Sequence, residues 1–145
     1  MKEPTDRIAA LQGLPFFAGL DHEDLEEILR VGHQVSFGAG ETLVERGDPG
    51  DAMYIILSGA AEVDVGGRFH RIEHGDFLGE MAVMAGKKRM ATVTAVEDVE
   101  ALRISATDFE SILLQRPRVG LTILKSTVER LREVQQRIDA WIGVW

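Results

Sequence analysis

Between residues 38 and 76 the chain is interrupted by turn signals at short intervals. Gly38-Ala39-Gly40, Gly47-Asp48-Pro49-Gly50-Asp51, Ser58-Gly59, Gly66-Gly67 and Gly75-Asp76 follow one another too closely for a long helix to fit between them. Glycine and proline punctuate the backbone through the conformations they permit or forbid. The runs between the signals are short and apolar: Thr42–Glu45, Met53–Leu57, Ala61–Val65 and Phe69–Ile72, then Ala91–Val96 and Val99–Ile104. Glu62-Val63-Asp64-Val65 and Thr92-Val93-Thr94-Ala95-Val96 alternate with the period of a half-buried strand. Gly66-Gly67 between two such runs is the signature of a tight hairpin. Strands recurring at about 8–12 residues point to a sandwich or barrel. Residues 32–105 therefore form the β region, and one segment, Gly79-Glu80-Met81-Ala82-Val83-Met84, reads as a single helical turn inside it.

Helical patterns flank the β region. In residues 1–31, Thr5 or Asp6 can cap a short helix holding Ile8, Ala9 and Leu11, which Gly13 and Pro15 stop. Asp21 is a second cap, ahead of Leu25, Ile28 and Leu29 at helical spacing. Residues 1–30 hold seven acids against Lys2, Arg7 and Arg30, the composition of a solvated face. In residues 106–145, Ser105 or Thr107 caps a helix through Leu114 that Pro117 ends. A long amphipathic helix then runs from about Val119 to about Ile142. Its seam reads Leu121, Leu124, Val128, Leu131, Gln135, Ile138, Ile142, Trp145, with Gln135 the one polar member. So narrow a stripe either packs on the chain's own barrel or pairs with a second copy, and the expectation is a homodimer through residues 118–145. Trp141 and Trp145 end that stripe or contact a partner protein.

Composition narrows the function. The 145 residues carry a net charge of −8, which argues against a nucleic-acid-binding surface over the whole domain but leaves room for one basic pocket. Cysteine is absent, so thiol catalysis, disulfides and thiolate metal sites are excluded. No signal peptide or apolar run of membrane-spanning length occurs, and a cytoplasmic location is expected. No G-x-S-x-G, H-E-x-x-H or Walker pattern is found. His70 and His74 are set apart by strand and turn and do not suggest a metal site. The expectation is a chain without catalytic residues, hence not an enzyme, and without a metal.

The chemistry concentrates in Phe77–Val93. A one-turn helix entered through Gly79 aims free N–H groups at nearby space, and such groups attract anions. Lys87-Lys88-Arg89 brings three cations into an acidic protein, and Arg89 leads straight into an apolar strand, where a guanidinium can clamp a phosphate. Glu80 would repel that phosphate unless it held another part of the same ligand, and a sugar hydroxyl is the natural partner. The residues thus suggest a small phosphate-plus-sugar ligand, although a structural Glu80–Arg89 ion pair on a capped turn accounts for them too.

This segment resembles the phosphate-binding cassette of the cyclic nucleotide-binding domain family, the domain of catabolite-activator-type (Crp-Fnr-like) regulators, cyclic-AMP-dependent kinase regulatory subunits and cyclic-nucleotide-gated channels. The family pattern F-G-E-(L/M)-A, a short loop, then R-(S/T/A)-A-(T/S)-(V/A) appears as Leu78-Gly79-Glu80-Met81-Ala82 and Arg89-Met90-Ala91-Thr92-Val93. Phe37, Gly40-Glu41, Gly47-Asp48, Gly50-Asp51, Met53-Tyr54-Ile55, Gly59 and Val63 fit the family's turns and strands upstream. The resemblance runs from about Leu14 to about Gln136.

It implies a mainly β fold, an antiparallel jelly-roll-like β-roll of about eight strands with N-terminal helices, a short phosphate-binding helix and a long C-terminal helix. It implies a regulatory sensor for a 3′,5′-cyclic mononucleotide, cyclic AMP first and cyclic GMP as the alternative. The implied ligand set is Gly79, Glu80, Met81, Ala82, Arg89, Met90, Ala91 and Gln135. In it, Arg89 binds the cyclic phosphate, the Met90 and Ala82 backbone N–H groups assist, and Glu80 accepts from the ribose 2′-OH. Met90 departs from the family's Ser, Thr or Ala, and methionine cannot donate the hydrogen bond that holds syn guanine. Its longer side chain must also find room beside the ligand. Lys88 replaces the common proline, trading loop rigidity for a favourable charge. By register Val134 and Gln135 lie near the base, and Gln135 either fixes the dimer register or hydrogen-bonds the adenine edge. The family's transcription factors carry a helix-turn-helix domain after the long helix. None is expected here, so no direct nucleic-acid binding is expected either. Three readings stay open: a sensor acting through an unknown effector protein or domain, the effector domain of a larger regulator or channel, and a degenerate fold kept for dimerisation or partner binding.

Overall fold

The computed structural model of the chain describes residues 11–13 and 17–142, with side chains through residue 134 and at Gln136. The cap expected at Thr5 or Asp6 lies outside the described residues, as do the seam positions Gln135, Ile138, Ile142 and Trp145 where side chains are concerned. Helix α1, His22–Val31, starts at Asp21 as expected. Asp21 accepts from the Asp24 backbone N–H at 2.9 Å, while the Asp24 carboxylate accepts from the Asp21 N–H at 3.3 Å. This reciprocal capping box satisfies two of the donors a helix start leaves free.

Eight strands follow: β1 His33–Phe37, β2 Thr42–Val44, β3 Ala52–Ser58, β4 Ala60–Val65, β5 Arg68–Glu73, β6 Phe77–Leu78, β7 Thr92–Ala95 and β8 Val99–Ser105. They form two four-stranded sheets, β1-β8-β3-β6 and β2-β7-β4-β5, antiparallel throughout. The β4–β5 hairpin turns at Gly66-Gly67, with φ of +61° and +88°, the left-handed pair the sequence suggested. Two strands had no clear signal. β1 is an edge strand with an irregular burial pattern, and β6 has two residues.

The first sheet is covered on both sides, which explains the apolar run Ala52–Ile56. On one face Met53 and Ile55 of β3, with Leu102 and Ile104 of β8, pack on Leu25 and Ile28 of α1. On the other, Ala52, Tyr54 and Ile56, with Val99 and Ala101, pack inside the roll on Leu43, Ala61, Ile72, Val93 and Ala95. Each large aliphatic side chain buried this way stabilises the fold by about 1.5–3 kcal/mol. The second sheet is more exposed, and β7 in it alternates, with Val93 and Ala95 buried and Thr92 and Thr94 half-buried.

Helix α2, Glu80–Ala85, interrupts the roll between β6 and β7. Helix α3, Ala106–Gln115, is capped by Ser105, whose Oγ accepts from the Asp108 N–H at 3.2 Å. Helix α4 runs from Pro117 to Ile142. Pro117 therefore opens this helix as well as closing the one before, because a missing N–H costs nothing in the first turn. Val119 and Ile123 join Phe109 and Ile112 in the helix-side core. Leu121, Leu124, Val128 and Leu131 are exposed, so this part of the seam does not pack on the roll.

Candidate functional site

Gly79 sets up the site. It sits at φ +89° between β6 and α2, and a Cβ there would lie 2.5 Å from Arg89 Nη1 and 2.9 Å from the Ala52 carbonyl oxygen. The turn thus needs both the left-handed backbone and the missing side chain. It delivers Glu80 into the interior, 4% exposed. Arg89 arrives from the other side and is 5% exposed. Its backbone is clamped to the turn before β3: the Arg89 N–H donates to the Asp48 carbonyl at 2.8 Å, and the Gly47 N–H donates to the Arg89 carbonyl at 3.0 Å. Gly50 makes this approach possible, since a Cβ on it would lie 2.5 Å from the Ala82 Cβ.

The two buried charges do not pair with each other, so the Glu80–Arg89 bridge considered from the sequence is absent. Arg89 Nη2 donates to the Ala52 carbonyl at 2.6 Å and to Asp51 Oδ1 at 3.3 Å. Asp51 Oδ2 also lies 3.5 Å from Arg103 Nη2, so one carboxylate serves two guanidinium groups. Glu80 Oε1 accepts from Arg130 Nη1 on α4 at 3.3 Å. Arg130 Nη2 donates to the Phe77 carbonyl at 3.0 Å, and its guanidinium stacks 4.3 Å from the centre of the Phe77 ring. Burial pushes the Glu80 carboxyl above its ordinary value, opposed by its own backbone N–H, Arg130 and Arg89.

Two buried polar atoms are left over: Glu80 Oε2 and Arg89 Nη1 have no hydrogen-bond partner. An unpaired buried group costs about 1–3 kcal/mol, and more when charged. Both residues line one cavity of about 250 Å³, together with Gly79, Met81, Ala82, Met90, Ala91 and Arg130. Its remaining walls include Val44, Val63, Val65, Ile72, Phe77, Leu78 and Val93. An acceptor and a donor inside an apolar shell suit a ligand with a hydroxyl at one point and an anionic oxygen at another.

Seven of the eight residues picked from the sequence thus surround one space, and the side chain of Gln135 lies outside the described residues. Met90 is 64% exposed and stands at the mouth, so its length does not fill the site. Arg130 was missed. Its partners Glu80 and Phe77 are 50 and 53 residues away, and nothing local separates it from Arg132. A second cleft of about 410 Å³ shares His70, Ile72, Phe77 and Arg130 with the first and adds Lys125, Glu129 and Glu133 from α4.

The sequence profile of the cyclic nucleotide-binding domain matches residues 34–116. The chain belongs to the cyclic nucleotide-binding domain family. Among curated relatives it is 35% identical to a cAMP-dependent protein kinase regulatory subunit of Aspergillus fumigatus, over 72% of this chain and 26% of the relative. It is 32% identical to an NTE family protein of Mycobacterium tuberculosis, over 89% of this chain and 22% of the relative. It is 33% identical to a cyclic nucleotide-gated potassium channel of Rhizobium etli, over 81% of this chain and 33% of the relative. The match thus spans a third or less of each relative. Among solved structures, the Thermus thermophilus catabolite activator protein superposes with a TM-score of 0.77 at 27% identity, covering 87% of this chain and 62% of that one. Cyclic-AMP-bound PfPKA-R gives 0.79 at 21% identity, over 93% and 47% of the two chains, a likeness of fold. Among the described residues no helix of this cyclic nucleotide-binding domain is long and apolar enough to cross a membrane.

Proposed function

We propose that this domain binds 3′,5′-cyclic AMP in the cavity between the roll and α4 and reports its presence through α4 without cleaving it. The observation that carries this is the pair of unpartnered buried atoms, Glu80 Oε2 and Arg89 Nη1, in one cavity. Arg89 supplies charge and a free N–H to the cyclic phosphate, while Asp51 and the Ala52 carbonyl hold its other nitrogen. Glu80 accepts from the ribose 2′-OH, and the Met90 and Ala82 backbone N–H groups lie along the phosphate side. The valine and methionine wall receives the apolar surface of the nucleoside. Met90 offers no hydroxyl to a syn guanine, so cyclic AMP binds at least as tightly as cyclic GMP. The lining residues hold one carboxylate, already engaged by Arg130, and no activated nucleophile, which supports a binding role over hydrolysis.

The signal passes through Glu80. Arg130 ties α4 to the cassette through Oε1 of that carboxylate while Oε2 is left for the ribose, so ligand and helix share one group and their positions are coupled. The exposed stripe Leu121, Leu124, Val128 and Leu131 supports pairing of α4 with a second copy, in which a change of pose reaches an effector protein or domain. A fold kept for dimerisation alone has no use for two unpartnered buried polar atoms beside a cavity. The lack of cysteine fits action in the cytoplasm.

Calorimetric titration with cyclic AMP, cyclic GMP and linear AMP tests the proposal. Cyclic AMP binding, with linear AMP much weaker, is the expected result. No binding of any cyclic nucleotide at millimolar concentration overturns it.

A further inference from the structure

Among the described residues there are four methionines, and they divide sharply. Met53 is 1% exposed in the core. Met81, Met84 and Met90 are 57%, 64% and 64% exposed, and all three belong to the short stretch that builds the cavity. Met81 and Met90 line the cavity itself, while Met84, one turn further along α2, does not. The chain has no cysteine, so no thiol competes for a two-electron oxidant. Among the described residues, the sulfur an oxidant can reach is therefore concentrated at the mouth of the ligand site. A roll with many apolar choices for its rim has placed there the one apolar side chain that can be oxidised reversibly.

We propose that Met81 and Met90 form an oxidation site, and that their conversion to sulfoxides by a hydroperoxide weakens nucleotide binding. The reaction balances: the thioether sulfur attacks the terminal oxygen of the hydroperoxide, an S–O bond forms as the O–O bond breaks, and the other oxygen takes up the hydroperoxide proton and leaves as water or an alcohol. Each sulfur loses two electrons and the peroxide gains them. The product is polar and carries an acceptor oxygen but no donor. On Met90, next in the chain to Arg89, that oxygen repels an incoming phosphate and offers the guanidinium a rival acceptor. On Met81 it replaces apolar wall with a group that must be desolvated when the ligand packs. Both effects lower affinity, and reduction of the sulfoxide restores it.

This inference rests on the proposed binding of cyclic AMP, and the test separates the two. The protein is treated with hydrogen peroxide, mapped by peptide mass spectrometry and titrated with cyclic AMP, each variant being compared with itself before and after treatment. Oxygen is expected on Met81, Met84 and Met90 well before Met53, with bound cyclic AMP slowing Met81 and Met90 but not Met84. Affinity of the wild type is expected to fall at least tenfold, to recover with methionine sulfoxide reductase, and to fall less than twofold in M81L/M90L. M84L should respond as the wild type does. Unchanged affinity in protein fully oxidised at both residues overturns the inference, as does an equal loss in M81L/M90L. If the untreated protein binds no nucleotide, the functional proposal fails by that titration alone. Oxidation spread evenly over Met53, Met81, Met84 and Met90 then overturns the site by the peptide map.

Discussion

In the roll, Ala52–Ile56 are apolar on both sides of β3 and buried on both sides; along α4, the apolar side chains Leu124, Val128, Leu131 and Val134 are exposed. The contrast is one of partners. β3 lies between β8 and β6, with the helix-side core on one face and the second sheet on the other. Helix α4 touches the body of the protein through Val119 and Ile123, and further along through the Arg130 side chain on Glu80 and Phe77. The roll is self-sufficient, and the helix is held at one end and by one ionic strap. An element with few buried contacts can change position at low cost, whereas a packed sheet cannot. The site spans that boundary: Arg89 is fixed by the roll, and Glu80 is shared with the helix.

The sharpest way to break the contrast is to ask whether the exposed stripe has a partner. Leu124→Glu with Leu131→Glu puts carboxylates on the seam, and burying each costs several kcal/mol unless it is neutralised. Sedimentation should show a dimer for the wild type at tens of micromolar and a folded monomer for the double variant. A monomeric wild type, with and without cyclic AMP, removes the dimer and leaves the helix as a lid on its own cavity. Single truncations probe the same difference through stability. Ile56→Ala should cost about 2–5 kcal/mol in denaturant unfolding, since it opens a cavity in the roll. Thr122→Ala, on the part of α4 that stays near the body, should stay within about 0.5 kcal/mol. Comparable losses in both would mean that helix and roll unfold as one equally packed unit.

The same boundary decides what could be read from sequence. Turn glycines, alternation and caps are local, so the Gly66-Gly67 hairpin, the Asp21 cap and the Gly79 entry to α2 were legible, and with them most strands of the roll. β1 was not, because an edge strand paired on one side by β8 needs no clean alternation. The cassette residues were legible because they lie within fourteen positions of one another, from Gly79 to Thr92. Arg130 and Asp51 were not assigned roles, since each acquires one through contacts 50 and 38 residues away in the chain. A heptad count also directs the eye to apolar positions, and Arg130 is not one of them. Nor could spacing tell that Glu80 and Arg89 would bind different partners and leave one atom each unpaired.

The two arginines sharpen the contrast at the level of the ligand. Arg89→Ala removes a buried guanidinium whose charge-assisted bonds carry about 1.5–3 kcal/mol, so cyclic AMP affinity should drop by about 10- to 150-fold. Arg130 is half exposed, so solvent screens its pair with the buried Glu80 and water can follow when the guanidinium is removed. Arg130→Ala should change affinity by no more than about fivefold, while loosening α4, read as faster amide exchange in that helix. An equal loss of affinity in both variants would show that the helix supplies as much of the ligand site as the roll does.

The smallest expected effect concerns the carboxylate that the two regions share. Burial raises the folded-state pKa of Glu80 above its unfolded value, so the folded protein holds that proton over a range where the unfolded chain has lost it. The associated stability is fully present below the ordinary glutamate range and is lost as pH rises through the higher folded value. Asp21, Glu27 and Glu100 have lowered values and act with the opposite sign, losing stability as pH falls through their folded values. A difference between wild type and Glu80→Gln cancels those three. The melting temperature of the wild type relative to Glu80→Gln should therefore decline as pH rises from the ordinary glutamate range through the higher folded value, then level off. A flat difference would mean that Arg130 and Arg89 offset the burial of Glu80 completely, making the carboxylate as settled as the roll around it. A difference that rises with pH would mean that they over-compensate, and that the strap from α4 is one of the tighter contacts in the molecule.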